Sequence, residues 1–482
     1  MRSLDRLNMC WIDGRSITLP KSFSVFNPAT GKEIGNVPLD EGELTTQAIE
    51  SAWAAFSTWS KRSAGERATY LHSWADRLIE HKRELAELLS MEQGKPMLEA
   101  KEEIEGAVEF IRWYAEEGKR IQGEVLTPLR ANQRISVIRQ PVGVAALITP
   151  WNYPAAMVTR KVAPALAAGC TVILKPAKET PLIAIALFEQ LMATGIPAGV
   201  ANLVTGEAAK IAQVLLNDHR VRKISFTGST EVGKRLMSQA AAQVKRISLE
   251  LGGNAPCIVF SDADIDLAAE RIVLNKFENC GQMCNGINVV YVHETIASKL
   301  EERIIQLVKR MKVGKGSDPD VKIGPLINQR ERQKVHELVL DAKQQGATLL
   351  LGGDMLEKDE FHQGAFYAPT IMNQVHQNMR CVQEEIFGPV LPILTFQTEE
   401  EVIKQVNQTS YGLAAYFFTK DHNRVHRVSE ALEFGMIGVN GTSLSVPQAP
   451  FGGIKESGQG REGGTYGLEE YLELKYISTI LD

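Results

Sequence analysis

A chain of 482 residues exceeds what one hydrophobic core can organise, so two or three domains are expected. With 44% hydrophobic and 23% charged residues it matches an ordinary globular enzyme, which excludes disordered, fibrous and low-complexity classes. A formal net charge of -5 gives no basic footprint for nucleic acid or anionic membranes, and no stretch reaches the ~20 apolar residues of a membrane span. The opening MRSLDRLNMCWIDGRSITLP carries no uninterrupted apolar run, so a cytoplasmic protein is expected. Cys10, Cys170, Cys257, Cys280, Cys284 and Cys381 form no C-x-x-C pair, and they predict free thiols with neither a zinc site nor a disulfide framework.

From about Thr45 to Arg120 apolar residues recur at helical spacing among many Glu, Lys and Arg, as in AIESAWAAFSTWSKR. The pattern predicts amphipathic helices packed on another layer. RISVIRQ, from Arg134 to Gln140, alternates in polarity and predicts an extended piece. From Val142 the texture changes: VGVAALI, TVILKP, ANLVTG and RKISFTG are short β-rich runs, each followed by a helical stretch. That alternation predicts a parallel sheet covered on both faces. A second series begins near Pro256 with CIVF, a helix through DADIDLAAERIVLNKFEN, the strand INVVYVH and a charged helix from Thr295 to Met311. It predicts a second α/β domain. Near the end YLELKYISTIL alternates as RISVIRQ does, and the two suit a protruding sheet shared between subunits.

Three places on this frame suggest chemistry. In FENCGQMCNGINVVYV, Cys284 follows a predicted helix and precedes a predicted strand, behind Gly281, a connection that can hold a thiol at a cleft. RISLELGG ends a strand at Glu250, so a carboxylate sits at the carboxyl edge where open α/β sheets bind ligands. LITPWNYP sets Trp151 and Asn152 between two prolines at a strand-to-helix junction. Singly, each of these has an ordinary reading as a buried thiol, a solvated loop acid or a turn residue. FTGSTEVGKRL likewise offers Gly228, Ser229 and Gly233 at a turn whose backbone N–H groups can meet a pyrophosphate, but not as G-x-G-x-x-G.

Taken together, PWN, KPA, FTGSTEVG, LELGG, GQMC and EEIFGPV, in that order, resemble the aldehyde dehydrogenase superfamily over essentially the whole chain. The agreement continues through PFGGIKESGQGREGG, and REGGTYGLEEYLELKYI is closest to the succinate semialdehyde dehydrogenase branch. The resemblance implies a Rossmann-like NAD(P) domain over 1–123 and 143–250 and an α/β catalytic domain over 251–445. It further implies an oligomerisation element over 124–142 and 446–482, in a homodimer or homotetramer. By the same resemblance Cys284 is the nucleophile, Glu250 the general base and Asn152 an oxyanion donor, with no metal. Trp151 would wall the cofactor, and Gly228 and Ser229 would meet its diphosphate. Glu385 and Phe387 would position the nicotinamide ribose and ring, and Lys175 would bond the adenosine ribose. Where NAD-preferring relatives carry a Glu for the ribose 2′-hydroxyl this chain has Lys178, whose ammonium would attract a 2′-phosphate. The expectation is therefore NADP, with NAD use also open.

The implied reaction is oxidation of an aldehyde to an acid through a thiohemiacetal and a thioester. Arg160 and Ser445 match residues that the semialdehyde enzymes turn toward a substrate carboxylate. Where those enzymes have a second Arg, six residues before the nucleophile, this chain has Glu278, an anion that opposes a carboxylate unless it pairs with Arg160 or turns away. Succinate semialdehyde is the first expectation; lactaldehyde, glycolaldehyde or a broad range of small aldehydes is the alternative. A CoA-acylating relative is disfavoured by Glu250, and a non-catalytic one by the intact Cys284, Glu250 and Asn152. Cys280 stands where a small residue or Thr is usual; it is expected as a small buried thiol, with a reversible disulfide to Cys284 as the other reading.

Overall fold

The computed structural model describes residues 4–481. The charged, helically patterned segment forms four helices, Glu43–Trp59, Ala64–Glu80, Lys82–Gln93 and Met97–Glu117. Their breaks are local: Ser63 accepts from the Glu66 N–H while the Glu66 side chain returns to Ser63, a reciprocal cap that starts the second helix. These helices cover an eight-stranded sheet whose centre is Ala201–Leu203, Thr171–Lys175, Val144–Ile148, Val221–Thr227 and Arg246–Glu250, all parallel. Each residue of Thr171–Lys175 is buried, as for a strand with helices on both faces. The helix Pro154–Ala168, buried on every side, runs between this sheet and Met97–Glu117.

The second sheet has seven strands in the order Thr348–Leu351, Thr370–Asn373, Val390–Phe396, Ile287–His293, Ala255–Val259, Ala414–Phe418 and Met436–Val439. Only its first pair is antiparallel. The helix between the second sheet's first two strands in the chain spans Ile265–Phe277 and is capped by Asp264, and the charged helix is Ala297–Val308. Two parallel α/β sheets, as the sequence predicts, thus meet where Glu250 ends the first and Ala255 begins the second.

A third sheet protrudes. Leu472–Ile480 pairs along its whole length with Gln133–Pro141, which also pairs with Glu124–Leu126. It leaves Val125, Leu474, Tyr476 and Ile480 exposed. The stretch 446–482 is not one unit, however. Gly458–Gln459 adds an antiparallel edge to Arg246–Glu250, and the helix Gly464–Glu469 packs on Met97–Glu117 and Pro154–Ala168. The glycines explain it: at Gly458 a Cβ would stand 2.0 Å from the Leu249 carbonyl oxygen, an approach open only to glycine. Pairing therefore passes to the protruding sheet only at Leu472, not at 446.

Candidate active site

Cys284 stands on the shared wall of two cavities, one of about 820 Å³ and one of about 650 Å³. The chain reaches it through a forced bend. After Phe277 three successive residues adopt left-handed backbone, Asn279 (φ 48°), Cys280 (φ 57°) and Gly281 (φ 73°). Such conformations are strained for residues other than glycine and persist only when neighbours over-determine them. Here they do: the Asn279 N–H donates to Glu99 Oε2 (2.9 Å), the Asn279 amide to the Asn152 carbonyl (2.9 Å), and the Ile327 N–H to the Gln282 side chain (2.9 Å). At Gly281 a Cβ would lie 2.2 Å from the Gly388 carbonyl oxygen. Cys280 faces the core of the second domain, 1% exposed, and burial pushes its thiol above the ordinary range. All six cysteines are free.

The motifs are adjacent in space for the same reason of close approach. A Cβ on Gly253 would lie 2.3 Å from the Cys284 carbonyl oxygen, and one on Gly252 would lie 2.8 Å from Glu385 Oε2. LELGG thus carries its glycines where the nucleophile loop and EEIFGPV press against it. Asn152 joins them from the first domain, its side-chain N–H₂ donating to the Gln282 carbonyl (3.0 Å) two residues before Cys284. Among the described residues that amide has no second hydrogen-bond partner. Behind it, Lys95 Nζ donates to the Asn152 carbonyl (3.1 Å) and to Glu103 (2.5 Å), and Glu103 accepts from Ala155 N–H (2.8 Å) at the start of Pro154–Ala168. The Lys95 and Glu103 side chains are 0% and 1% exposed, so both charges depend on each other.

Burial, helped by the charges of Glu385 and Glu250, pushes the Cys284 thiol up to about 12. Glu250 is buried with both carboxylate oxygens unpartnered, and burial, then the charge of Glu462, hold its carboxyl well above the usual range. Its side chain rests against Gly452, where a Cβ would meet Oε1 at 2.7 Å, and it lines neither cavity.

The smaller cavity runs from Cys284 to the first sheet's carboxyl edge. Trp151 meets Phe387 edge-on, with ring centroids 5.4 Å apart, and Phe387 holds a left-handed backbone (φ 53°). Glu385 accepts from the Gly253 N–H (3.0 Å), and burial pushes its carboxyl up to about 7. Gly228 and Ser229 lie on the wall, and Ser229 caps the helix Thr230–Ala240, accepting from the Val232 N–H at 3.4 Å. An open helix N-terminus, an aromatic slot and a buried carboxyl suit the diphosphate, ring and ribose hydroxyls of a dinucleotide. Lys175 is buried at the end of Thr171–Lys175, and Lys178 is 75% exposed with its ammonium 4.0 Å from Glu179. Neither is on the wall of this cavity.

The larger cavity is lined along one helical stripe by Tyr153, Ala156, Met157 and Arg160. Arg160, 7% exposed, is sandwiched by Phe110 (4.4 Å) and Phe451 (5.0 Å), donates to Ser445 Oγ, and leaves Nε without a partner. Glu278 does not pair with Arg160; it accepts from the Tyr153 hydroxyl (2.8 Å). Sequence reading missed Tyr153, Phe110, Phe451, Lys95 and Glu103. Tyr153, next to Asn152 in PWNYP, and Phe451, in PFGGIKESGQGREGG, stood in quoted strings, whereas the others reach the site through packing.

Among the described residues no cluster of His, Cys, Asp or Glu could hold a metal ion, and no helix is long and apolar enough to cross a membrane. A thiol on the wall shared by two cavities, at the seam of two mostly parallel sheets, is an arrangement suited to a dehydrogenase. The chain belongs to the aldehyde dehydrogenase family, whose pattern matches residues 11–477. It is 48% identical to the NADP-dependent succinate-semialdehyde dehydrogenase of Escherichia coli, over 98% of this chain and 96% of that one. It is 47% identical to a glutarate-semialdehyde dehydrogenase of Pseudomonas putida, over 98% and 96% of the two chains. The crystal structure of a succinate-semialdehyde dehydrogenase from Burkholderia pseudomallei superposes with a TM-score of 0.97 at 44% identity, covering 100% of this chain and 99% of the other. The protein is an aldehyde dehydrogenase that uses a nicotinamide dinucleotide.

Proposed function

We propose that the chain oxidises an aldehyde bearing a carboxylate at its far end, succinate semialdehyde first, with NADP preferred over NAD. The observation that carries the substrate is Arg160. A guanidinium buried between two aromatic rings, with no carboxylate in ion-pair range among the described residues, needs an anion from outside. Ser445 is already turned to it. The names of the E. coli and P. putida relatives point the same way.

In this reading Glu250 takes the Cys284 thiol proton and later releases it to solvent, Cys284 Sγ attacks the carbonyl carbon, and the oxyanion is held by the Asn152 side-chain amide and the Cys284 N–H. A donor in such a place contributes ~3 kcal/mol or more. When bound, the dinucleotide supplies the hydride acceptor. Trp151 and Phe387 would flank its ring, Glu385 its ribose, and Gly228 and Ser229 its diphosphate. Collapse of the oxyanion leaves a thioester on Cys284. Water then attacks the thioester carbon, its proton passes to Glu250, and the Cys284 sulfur leaves. The raised pKa of Glu250 makes it a strong enough base, provided it swings from Gly452 toward the thioester. The six free thiols fit a reducing, cytoplasmic compartment. The exposed apolar residues of the protruding sheet fit a homodimer or homotetramer.

Two measurements test this reading. Arg160→Leu should lower kcat/KM for succinate semialdehyde by about tenfold to a hundredfold, the loss of a charge-assisted hydrogen bond, while butanal oxidation changes little. Equal losses for both aldehydes would make Arg160 structural and overturn the semialdehyde assignment. Lys178→Glu should shift the NADP to NAD ratio of kcat/KM toward NAD by roughly fivefold, an exposed-charge effect. A ratio unchanged within twofold would remove Lys178 from the 2′ position.

A further inference from the structure

The strand Ile287–His293 begins just after the nucleophile and is buried from Ile287 to Val292. Asn288 lies within it, 3% exposed, between Ile287 and Val289. An amide is costly to bury and poorly suited to a strand unless its polar atoms are paired. They are, and chiefly to one loop. Asn288 Oδ1 accepts from the Ile386 N–H (3.0 Å), while Nδ2 donates to the Glu384 carbonyl (3.1 Å). Nδ2 also donates to Asn254 Oδ1 (2.7 Å), and Asn254 Nδ2 in turn donates to the Val382 carbonyl (2.7 Å) of the same loop.

The bonds to Glu384 and Ile386 bracket Glu385. One side chain holds the peptide groups on both sides of the Glu385 Cα, and the Glu385 carboxylate accepts from the Gly253 N–H (3.0 Å). Just beyond, Phe387 keeps a left-handed backbone (φ 53°), which a residue other than glycine holds only where its neighbours over-determine it. On the other side of Cys284 the chain presses on the same loop, for a Cβ on Gly281 would stand 2.2 Å from the Gly388 carbonyl oxygen. The segment that carries the nucleophile thus grips the turn of Glu385 and Phe387 at both ends, through Gly281 and through Asn288.

We propose that Asn288 is a positioning residue for hydride transfer: it fixes the loop of Glu385 and Phe387, and with it the nicotinamide end of the dinucleotide, in register with the Cys284 sulfur. The inference rests on the assignment of Glu385 and Phe387 to the dinucleotide made above. Asn288 lines neither cavity, so it acts only through the loop. Misplacing a reacting group by about 1 Å costs on the order of a hundredfold in rate, so a buried amide away from the chemistry can govern it. Thioester formation and hydrolysis use Cys284, Asn152 and Glu250, none of which hydrogen-bonds to Asn288. Only the hydride step depends on the bracket.

The test sets aldehyde oxidation against hydrolysis of an activated ester, p-nitrophenyl acetate, in the full-length protein. The ester acylates Cys284 with loss of p-nitrophenolate and water then releases acetate, so no hydride acceptor takes part. Asn288→Ala should raise the Kd for NADP, read by tryptophan fluorescence, and lower kcat for aldehyde oxidation, each by roughly tenfold to a hundredfold. The KM for the aldehyde, and ester hydrolysis measured without dinucleotide, should stay within about twofold of wild type. Either loss with ester hydrolysis spared supports the proposal. Asn288→Ser keeps a hydroxyl but cannot bridge both loop groups; it should show the same split more weakly, and it decides the matter if Asn288→Ala does not fold. Parallel loss of oxidation and ester hydrolysis would make Asn288 structural and overturn the proposal, as would an NADP Kd and a kcat both unchanged. Glu385→Gln separates the two readings. If it weakens neither NADP binding nor hydride transfer, the assignment of the loop to the dinucleotide fails; if it weakens either while the Asn288 variants do not, only the positioning role of Asn288 fails.

Discussion

Cys284→Ala is expected to lower kcat/KM for every aldehyde by about 10⁴-fold or more, to the level of background oxidation. An aldehyde does not release hydride until its carbon is tetrahedral and carries an oxyanion, and no other nucleophile is on the shared wall of the two cavities. Cys280, four residues away, cannot substitute, because it faces the core of the second domain and its thiol is suppressed by burial. The strained loop at Asn279 and Cys280 is held by Glu99, Asn152 and Gln282 and not by the Cys284 sulfur, so the melting temperature should stay near wild type. Dinucleotide affinity, measured by quenching of tryptophan fluorescence, should also survive, since Trp151, Ser229 and Glu385 are untouched. Substantial turnover in this variant would remove the covalent route.

Glu250→Gln is expected to separate the two halves of the reaction. Hydride release does not require the base, whereas loss of the Cys284 thiol proton does, so a burst of one reduced dinucleotide per active site should appear at a slower rate than in wild type. Turnover should then fall by ~10²- to 10⁴-fold, the usual contribution of a general base, with acyl-enzyme accumulating. Intact-protein mass spectrometry should find the acyl group on Cys284. The pH profile carries a second signature. Burial and the charge of Glu462 raise the Glu250 carboxyl well above its ordinary range. Its basic form is therefore present only above that raised value, and wild-type deacylation falls as pH drops through it. Glutamine cannot titrate, so the variant should lose this acid limb. Undiminished steady turnover in Glu250→Gln would assign water activation elsewhere.

A structural prediction follows from the pair behind Asn152. Lys95→Met leaves Glu103 buried without a counter-charge and removes one of the two donors to the Asn152 carbonyl, and it should destabilise the fold by about 3–5 kcal/mol in urea titration. Loss of less than 1 kcal/mol would show that water reaches the pair.

Several features were set by local sequence alone. The central strands were legible because a strand covered on both faces must be apolar throughout, as Thr171–Lys175 and Ile287–His293 nearly are. Cys284, Glu250 and Asn152 were singled out by the family resemblance of their strings, and of the three only Glu250 ends a strand. Tertiary structure decided what depends on partners distant in the chain. It divided the glycine-rich segment after 446 between two sheets, since Gly458 pairs with Glu250, far away in the chain. It turned Glu278 to Tyr153 rather than to Arg160, a choice the sequence left open because charge alone does not fix where a side chain finds its hydrogen bond. It also drew Glu250 back against Gly452 and left Lys178 in solvent. Motif spacing names which groups meet at an edge; packing around them decides which way each one faces and what it costs to carry a charge there.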